Sequence, residues 1–389
     1  MDDAFDTDLQ YLYFSLQSHP SLVYEENRIR FMQLYEDLKQ TLKDEYSFLQ
    51  AMTKLTMFFN DGHTNIELPY TDEDLCLPLR CEWEDGTDRL FLKEKYADID
   101  AGAEITAVEG ASVHELLKRA QQMIPHENRY LVRSRMLHYP YQNYHIFSRL
   151  NLIQLFGEKE TYEIKFCMNR QEWRKSCRLT TYQGFPEFSP SPAVCYELEG
   201  NTAILHLNAC VYNKYYQLML DRLADICQKK RMERLILDLS KNMGGNSAVI
   251  DEFIARVNVD SYRRFGMIDY SSGSPCLITD RNVLVKNRKR SKLFPNNIIC
   301  RVSNDTFSSA KTFAVTLKDN GIAAVVGQPT GGKPTSYGMP RKDVTPCLHI
   351  RFRVSRCLFL RPDPAGDKEI SLFPQTMSMR ERTDGKNSV

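Results

Sequence analysis

Apolar residues recur at helical spacing through the first sixty residues of the chain. Leu9, Leu12 and Leu16 form the first such series, and further series follow at 29–42 and 48–59. Repeats of three and four residues place side chains on one face of a helix. The connections between the series are short, so we expect an antiparallel helical cap over residues 1–64.

From about residue 65 the apolar residues occur in short runs that are typical of strands. Residues 80–84 and 89–92 flank Asp85-Gly86, which is a hairpin signal. Strand, tight turn and short helix are the parts of a PDZ-like module, so we assign 65–184 to a small β-rich, PDZ-like region. The other elements predicted there are strands at 102–108, 161–168 and 173–180 and a helix at 113–123.

The last half of the chain alternates apolar strand runs with helical patterns. This alternation predicts right-handed crossovers and mostly parallel strand pairing, hence an α/β core over 185–375. A Pro-rich stretch at 185–192 is the predicted linker, and the polar tail at 376–389 is expected to fray. The predicted strands are 202–207, 235–239, 297–302 and 323–326, and the predicted helices are 214–229, 247–257 and 308–320.

Composition narrows the classes of protein that fit. The 389 residues are 42% hydrophobic and 26% charged, a balance that supports a real core. A net charge of +1 argues against a nucleic-acid partner, and no run reaches the roughly 20 apolar residues of a membrane span. The acidic N-terminus is unlike a signal peptide, and the 11 cysteines lack zinc-ribbon spacing. We expect reduced thiols and a cytoplasmic location, or an exported protein if the sequence is a trimmed mature form.

Ligands of open α/β sheets bind beyond the carboxyl ends of the strands, so we expect functional residues in the turns that follow the predicted strands. The first, Asp238–Asn246, contains Gly244 and Gly245. Paired glycines expose backbone N–H groups, which can bind a developing oxyanion next to a helix N-terminus. An ordinary glycine turn explains the spacing equally well.

Two further turns follow strands. Ser303–Ala310 brings Ser308 and Ser309 to the start of a predicted helix, where N-capping is the stronger interpretation and a nucleophile the weaker one. Gly327–Pro334 nearly matches a phosphate-binding P-loop. Its last position is Pro334, which has no hydroxyl for a magnesium ion, and no helix pattern follows. We therefore do not expect nucleotide hydrolysis.

A histidine turn follows the predicted helical cap. His63 lies in Asp61–Thr64, and an imidazole titrates near neutral pH and can act as a general base. A lone histidine in a turn is more often a surface residue. The chain has neither a Gly-x-Ser-x-Gly elbow nor a complete His-Glu-x-x-His motif, so we predict no bound metal and no cofactor.

These turns, in this order, resemble the tail-specific (C-terminal-processing) protease and tricorn-core family of serine peptidases. The resemblance implies a crotonase-like (ClpP/crotonase-type) catalytic core, usually with a PDZ or similar inserted module. It also implies a serine endopeptidase that hydrolyses extended or unfolded polypeptides through an acyl-enzyme intermediate. The blocks that carry it are Asp61–Thr64, Gly102–Gly110, Leu235–Gly245, Thr306–Lys333 and Arg361–Pro374.

Carried over residue by residue, the resemblance makes Ser308 the nucleophile. The N–H of Ser309 and that of Gly244 or Gly245 would form the oxyanion hole. These donors would face a charge that develops only in the transition state, where hydrogen bonds contribute most to the rate.

The resemblance leaves two general bases open. Lys333 lies 25 residues after Ser308 (333 − 308 = 25), which is the spacing of the lysine base in tail-specific proteases. A lysine base must be neutral, so burial has to lower its pKa by about 3 from roughly 10.4. The tricorn-like branch uses a histidine, which His63 matches, with Asp363 or Glu369 to orient it. We favour His63, and Lys333 then becomes a structural or substrate-contacting residue.

Departures from the family pattern keep a second function open. Ser240 replaces the usual arginine of the first glycine turn, and Gln328 and Gln375 stand where acidic residues are common. The alternative is a catalytically inactive family member that binds a peptide or an apolar ligand. The sequence carries no signature of cleavage specificity or oligomeric state.

Overall fold

A computed structural model of the chain describes residues 2–67, 73–137, 144–181 and 191–375. The predicted linker lies outside the described residues up to residue 190, and the predicted tail lies outside them entirely. The chain divides into two compact units. Unit 1 comprises Met1–Ser189 and Met339–Arg356, and unit 2 comprises Pro190–Gly338 and Cys357–Val389.

The regular elements of the described residues are numbered here in chain order. The helices are α1 (Asp2–Leu16), α2 (Glu25–Lys39), α3 (Glu45–Met57), α4 (Val113–Ala120), α5 (Arg129–Arg135), α6 (Arg149–Phe156), α7 (Lys214–Lys229), α8 (Ala248–Ile254) and α9 (Ser309–Asp319), with 3₁₀ turns at Pro20–Val23 and Pro364–Gly366. The strands are β1 (Asn65–Glu67), β2 (Leu75–Cys76), β3 (Cys81–Trp83), β4 (Leu90–Leu92), β5 (Glu104–Val108), β6 (Ala111–Ser112), β7 (Thr161–Met168), β8 (Gln171–Arg178), β9 (Thr180–Thr181), β10 (Val194–Glu199), β11 (Thr202–Leu207), β12 (Arg234–Asp238), β13 (Ser261–Arg263), β14 (Gly266–Asp269), β15 (Cys276–Thr279), β16 (Leu284–Lys286), β17 (Asn297–Val302), β18 (Ala324–Gly327), β19 (Ser336–Gly338), β20 (Arg341–Val344), β21 (Arg351–Val354) and β22 (Cys357–Leu360).

In unit 1, helices α1 to α3 share a core with a small sheet of order β1-β21-β20. Leu9, Leu12 and Leu16 are fully buried there, so the predicted periodicity of the first helix is confirmed. Phe352 of β21 packs in the same core. Strand β21 comes from the far end of the chain, and its pairing with β1 returns residues 339–356 to unit 1.

A second core in unit 1 lies against an antiparallel sheet of order β3-β4-β5-β7-β8, with β6 paired to β5. The predicted hairpin, the later strands and the helix are confirmed. Helix α4 begins with a capping box between Ser112 and Glu115 and buries Leu116 and Leu117. It ends at Ala120, earlier than predicted, because the chain tightens into i→i+3 hydrogen bonds after that residue.

The main sheet of unit 2 has the order β10-β11-β12-β17-β18. Strands β11, β12, β17 and β18 are parallel, and β10 pairs antiparallel at one edge, which confirms the mostly parallel pairing. Helix α9 contacts β17 and β18, and α7 contacts β10. Parallel order puts the carboxyl ends of β12, β17 and β18 at one edge, so the three turns of interest emerge together.

Unit 2 also contains strands that the sequence pattern did not predict. They form a sheet of order β15-β14-β22-β19 and a ribbon of β13 and β16. These strands have only three or four residues, which is too short for an alternation of apolar and polar residues to distinguish them from loops, and β15 is exposed over most of its length. No disulfide joins the cysteines, and no helix of the described ranges is long and apolar enough to cross a membrane.

Candidate active site

The turn after β12 and the turn after β17 are held together by hydrogen bonds. The Phe307 N–H donates to the Asn242 carbonyl at 3.1 Å, and Thr306 Oγ1 donates to the Leu239 carbonyl at 2.8 Å. Asn242 and Thr306 are fully buried, so water does not compete for these bonds. The backbone that leads into Ser308 is thereby fixed against the glycine turn.

Gly244 lies directly against Ser308. Its φ is +108°, and a Cβ built on it would lie 2.6 Å from Ser308 Cβ and 3.0 Å from the Phe307 carbonyl oxygen. Both the backbone conformation and the lack of space therefore require glycine at this position.

The side chain of Asn242 organises the interior of the glycine turn. Its Nδ2 donates to the Leu207 carbonyl at 2.7 Å, and its Oδ1 accepts from the Gly244 N–H at 2.8 Å. The Gly244 amide is thus already engaged inside the turn. Of the two glycine amides that the resemblance implied, the Gly245 amide is the one left to face a ligand.

Ser308 has an unusual backbone conformation. Its φ of 51° and ψ of −126° place a non-glycine residue in a region that costs of the order of 1–3 kcal/mol. Ser308 stands at the N-cap position of α9, yet its side chain makes no capping hydrogen bond, so the capping interpretation was wrong for this residue. A strained serine on a sharp strand-to-helix turn is the arrangement that exposes a nucleophile.

Two backbone amides flank the Ser308 turn. Ser309 is the first residue of α9, and Ser309 Oγ donates to the Gly245 carbonyl at 2.7 Å, which ties the two segments together. Neither the Ser309 N–H nor the Gly245 N–H has an acceptor within the described part of the chain. Amides at a helix N-terminus favour negative charge, so this pair can stabilise an oxyanion.

The loop that carries Lys333 is anchored to the same turns. The Gly331 N–H donates to the Thr306 carbonyl at 3.2 Å, and Asn304 Nδ2 donates to the Pro329 carbonyl at 2.8 Å. Lys333 itself is half-buried. Strand β19 follows this loop, whereas a P-loop is followed by a helix.

Lys311 is a buried lysine one turn along α9 from Ser308, and the sequence analysis missed it. It is 1% exposed, and Nζ donates to Ser336 Oγ at 2.9 Å and to the Pro334 carbonyl at 3.2 Å. Lys311 therefore joins helix α9 to the end of the Lys333 loop. A lysine between apolar helix positions resembles an exposed one in sequence, so its burial has no sequence signal.

The two carboxylates that the resemblance implied as orienting groups, Asp363 and Glu369, both have partners in unit 2. Asp363 Oδ1 accepts from the Ala365 N–H at 3.0 Å and so caps a 3₁₀ turn. Glu369 Oε2 accepts from Arg361 Nη1 at 2.6 Å. Arg361 is buried and also pairs with Asp319.

In unit 1, His63 is held between two buried carboxylates. Its Nδ1 lies 3.4 Å from Asp61 Oδ1 and 3.5 Å from Glu127 Oε1, and the imidazole is 13% exposed. Burial acts to lower the pKa of His63, but hydrogen bonds and charge from Asp61 and Glu127 outweigh it and raise the pKa to about 9. The sequence analysis did not select Glu127. The residue after it, Asn128, caps α5 and fixes this segment.

Asp61 is the centre of a buried polar network. Its carboxylate accepts from Thr64 Oγ1 at 2.6 Å and from the His63 N–H at 2.9 Å, and His19 Nε2 lies at 3.4 Å. Burial acts to raise the pKa of Asp61, but the bonds and charges of His19 and His63 outweigh burial and hold the pKa well below its usual value. The Asp61 carboxylate therefore stays ionised while buried.

The ligand atoms of Asp61, His63 and Glu127 all lie within 4.8 Å of one another, and such nitrogen and oxygen atoms also suit a zinc ion. The buried Arg135 already interacts electrostatically with both carboxylates. The same carboxylates hold the imidazole, so we assign this group to the positioning of His63.

Residues 201–341 match the model of peptidase family S41. This segment is similar to the S41 peptidases. It contains Gly244, Gly245, Ser308, Ser309 and Lys333, all of which the sequence analysis selected. The predicted resemblance and the predicted class, a hydrolase of the serine-peptidase type, are confirmed, and peptidases of this family act on polypeptides.

The likeness to solved structures extends beyond the matched segment. The structure of mature CPAF resembles this chain with a TM-score of 0.70 at 16% identity, over 96% of this chain and 92% of that chain. Mature CPAF complexed with lactacystin gives a TM-score of 0.68 at 16% identity, over 96% and 93%. At this identity the likeness shows the fold alone. A search of curated proteins finds no match.

Proposed function

We propose that the chain is a serine endopeptidase that cleaves extended or unfolded polypeptides through an acyl-enzyme intermediate on Ser308. The observation that carries this is the conformation of Ser308: a strained, non-capping serine packed on Gly244. The amides of Ser309 and Gly245 beside it support the same assignment. The match of this segment to an S41 model makes peptide bonds the expected substrate.

The chemistry follows from these groups. Ser308 Oγ attacks the carbonyl carbon of the scissile bond as its proton passes to a general base. The carbonyl oxygen becomes an oxyanion, and the Ser309 and Gly245 amides donate to it. Loss of one such donor typically costs 10²–10³ in rate. The base then returns the proton to the leaving amine, and water releases the acyl group by the same steps.

His63 is the proposed base, with Asp61 and Glu127 as the groups that position it. An imidazole held at Nδ1 by carboxylate is the usual arrangement of a histidine base. Because its pKa is raised to about 9, the imidazole is mostly protonated at neutral pH and becomes an effective base as the pH rises. Lys333, whose loop is bonded to the Ser308 turn, is the second candidate.

Labelling with a serine-reactive probe tests the nucleophile. We expect labelling of the wild type, loss of labelling in Ser308→Ala, and retained labelling in Ser309→Ala, which keeps its backbone N–H. Labelling that persists in Ser308→Ala refutes the assignment. Saturable peptide binding without turnover, equal in the wild type and in Ser308→Ala, would instead indicate a non-catalytic binding module.

The pH dependence of kcat/KM separates the two bases. If His63 is the base, kcat/KM rises about tenfold per pH unit below pH 9. Glu127→Gln should then move this rising limb of the pH profile to lower pH, because one of the groups that raise the pKa of His63 is lost. If Lys333 is the base, Glu127→Gln leaves the limb in place. His63→Ala and Lys333→Ala, assayed separately, provide the complementary test.

The proposal also assigns a role to each region of the fold. The core of unit 2 is proposed to be crotonase-like, helices α1 to α3 to be the helical cap, and the β3–β8 sheet with α4 to be the PDZ-like region. A PDZ-like region captures a chain end by adding it as a strand. Peptides with a free terminal carboxylate should then have a lower KM than the matching amides. Equal KM values would contradict this role.

A further inference from the structure

A cluster of exposed apolar side chains lies at the start of α7 in unit 2. Tyr215 and Leu218 are each 56% exposed, Val211 is 43% exposed and Tyr212 is 40% exposed. These four residues are called the flank patch here. Contiguous exposed apolar surface generally marks a place where something binds.

The flank patch is continuous with the proposed oxyanion donors. The Cys210 N–H donates to the Gly244 carbonyl at 2.9 Å, and the Asn246 N–H donates to the Cys210 carbonyl at 2.7 Å, so the segment before the patch forms one flank of the glycine turn. Contact there is tight, since a Cβ on Gly245 would lie 2.4 Å from the Cys210 carbonyl oxygen. The patch begins at the next residue, Val211.

The flank patch is also held in place. Tyr212 Oη accepts from Gln217 Nε2 at 2.8 Å, and Asn213 caps α7 by accepting from the Tyr216 N–H at 2.8 Å. Tyr215 and Leu218 are three residues apart and so lie on one face of the helix. The other face is anchored in the core by Tyr216, Leu220 and Leu223. A surface fixed in this way binds without first having to become ordered.

We propose that the flank patch is the subsite that receives apolar or aromatic side chains of the polypeptide substrate close to the scissile bond. This inference rests on the proposed function. A carbonyl group held by the Gly245 and Ser309 amides lies on the turn that the patch borders, and each extended residue spans about 3.3 Å. Side chains within a few residues of the scissile bond are therefore within reach of the patch.

Two other exposed apolar residues in unit 2 provide a matched control. Leu277 and Ile278 of β15 are 61% and 53% exposed, close to the values for Tyr215 and Leu218. They lie on the edge strand of the sheet β15-β14-β22-β19, whereas the glycine turn follows β12 of the main sheet. Substitutions there remove a similar apolar area without altering the flank patch.

The test compares Tyr215→Ser/Leu218→Ser with Leu277→Ser/Ile278→Ser. Each variant is assayed for labelling by a small serine-reactive probe and for kcat/KM on peptides that carry either apolar or small polar residues near the cleaved bond. In the flank variant we expect labelling within about twofold of the wild type. Its kcat/KM should fall 10- to 100-fold on the apolar peptides and stay unchanged on the polar ones. The control variant should match the wild type in every assay.

The outcomes separate the inference from the function on which it rests. Normal labelling with an unchanged apolar preference in the flank variant overturns the subsite. If the flank variant changes a dimer into a monomer in sedimentation and keeps the wild-type preference, the patch binds a second copy of the chain and the subsite is again overturned. If the wild type itself is not labelled, the proposed function fails, and the subsite fails with it.

Discussion

The turns around Ser308 and the cluster around His63 are built from different interactions. The Ser308 turns are held by backbone hydrogen bonds, by the amide of Asn242 and by close contact with Gly244. The His63 cluster consists of buried ionisable side chains whose charges offset one another. The first region fixes the position of Ser308, and the second fixes the protonation state of His63.

This difference determines how each region can fail. A nucleophile depends on geometry, and a misplacement of about 1 Å can cost on the order of 100-fold in rate. A proton acceptor depends on its pKa, which nearby charges set. The Ser308 turns should therefore be sensitive to a single added atom, and the His63 cluster to a single removed charge.

The largest expected effect is that of Gly244→Ala. The new methyl group would lie 2.6 Å from Ser308 Cβ, at a φ of +108° that alanine rarely adopts, so the Ser308 turn must move. We expect a loss of more than about 100-fold in the rate of serine-probe labelling. The rate of covalent labelling, followed by intact-protein mass spectrometry, measures this.

Gly321→Ala is the matched control for that experiment. Gly321 also has a positive φ of +63°, but a Cβ there meets nothing within 4 Å. Gly321→Ala therefore incurs the cost of about 1 kcal/mol for alanine at a positive φ, but its methyl group contacts no neighbouring atom. A similar loss of labelling in both variants would mean that general destabilisation, and not the displacement of Ser308, explains the result.

Charge in the His63 cluster should appear as a dependence of stability on pH. The pKa of about 9 in the folded state exceeds the ordinary histidine pKa of 6.5, so the stabilising effect is fully present below pH 6.5 and is lost as the pH rises through 9. The free energy of unfolding should therefore fall by up to about 3 kcal/mol across this window. Urea unfolding at a series of pH values measures the decrease.

In His63→Gln this decrease should disappear. His114→Gln serves as the control, because His114 is 62% exposed in its side chain and lies outside the cluster. It should keep the wild-type dependence. A dependence that is unchanged in His63→Gln would show that Asp61 and Glu127 do not stabilise the imidazolium form.

These two regions also differ in how far the sequence predicts them. The runs 202–207 and 297–302 became β11 and β17 with those bounds, because each is a short run rich in β-branched and other apolar residues, which favour strands. Gly244 and Gly245 were predicted as turn residues because paired glycines directly after a strand indicate a turn, and this signal depends only on neighbouring residues. The particular amide that faces outward was not predictable, because it depends on how the Asn242 side chain bonds inside the turn.

The His63 cluster depends on residues far apart in the chain. Asp61 adjoins His63, but His19 and Glu127 reach it only through the fold, and no periodicity relates their positions. The pairing of β1 with β21 and the burial of Lys311 are non-local in the same way. Pattern analysis finds elements whose causes lie within about ten residues, and it misses contacts that tertiary structure creates.

An intermediate effect is expected for Lys311→Met, which tests whether the Lys333 loop must be joined to α9. The change keeps the length of the side chain but removes the donor to Ser336 Oγ and to the Pro334 carbonyl. Leaving such groups without a donor costs about 1–3 kcal/mol, and we expect a several-fold slower labelling rate. Thermal unfolding and labelling kinetics measure the two effects.

Lys318→Met on the same helix is the comparison for that variant. Lys318 Nζ donates to the Phe373 carbonyl at 3.2 Å in an exposed setting, so its loss should change stability by less than about 0.5 kcal/mol. If Lys311→Met proves no more damaging than Lys318→Met, the bond between the loop and the helix does not position the Ser308 turn.

The smallest effect is expected for Asp363→Ala, and it decides between two roles for this carboxylate. As the cap of a 3₁₀ turn, Asp363 contributes one hydrogen bond to the Ala365 N–H, so its loss should cost about 1 kcal/mol of stability and leave the labelling rate within about twofold. As the group that orients a histidine base, its loss should instead lower the rate by orders of magnitude, as for other members of catalytic triads. Labelling kinetics at a pH above 9, where His63 is mostly neutral in either case, therefore show directly whether the orienting carboxylates are Asp61 and Glu127 or whether Asp363 is also required.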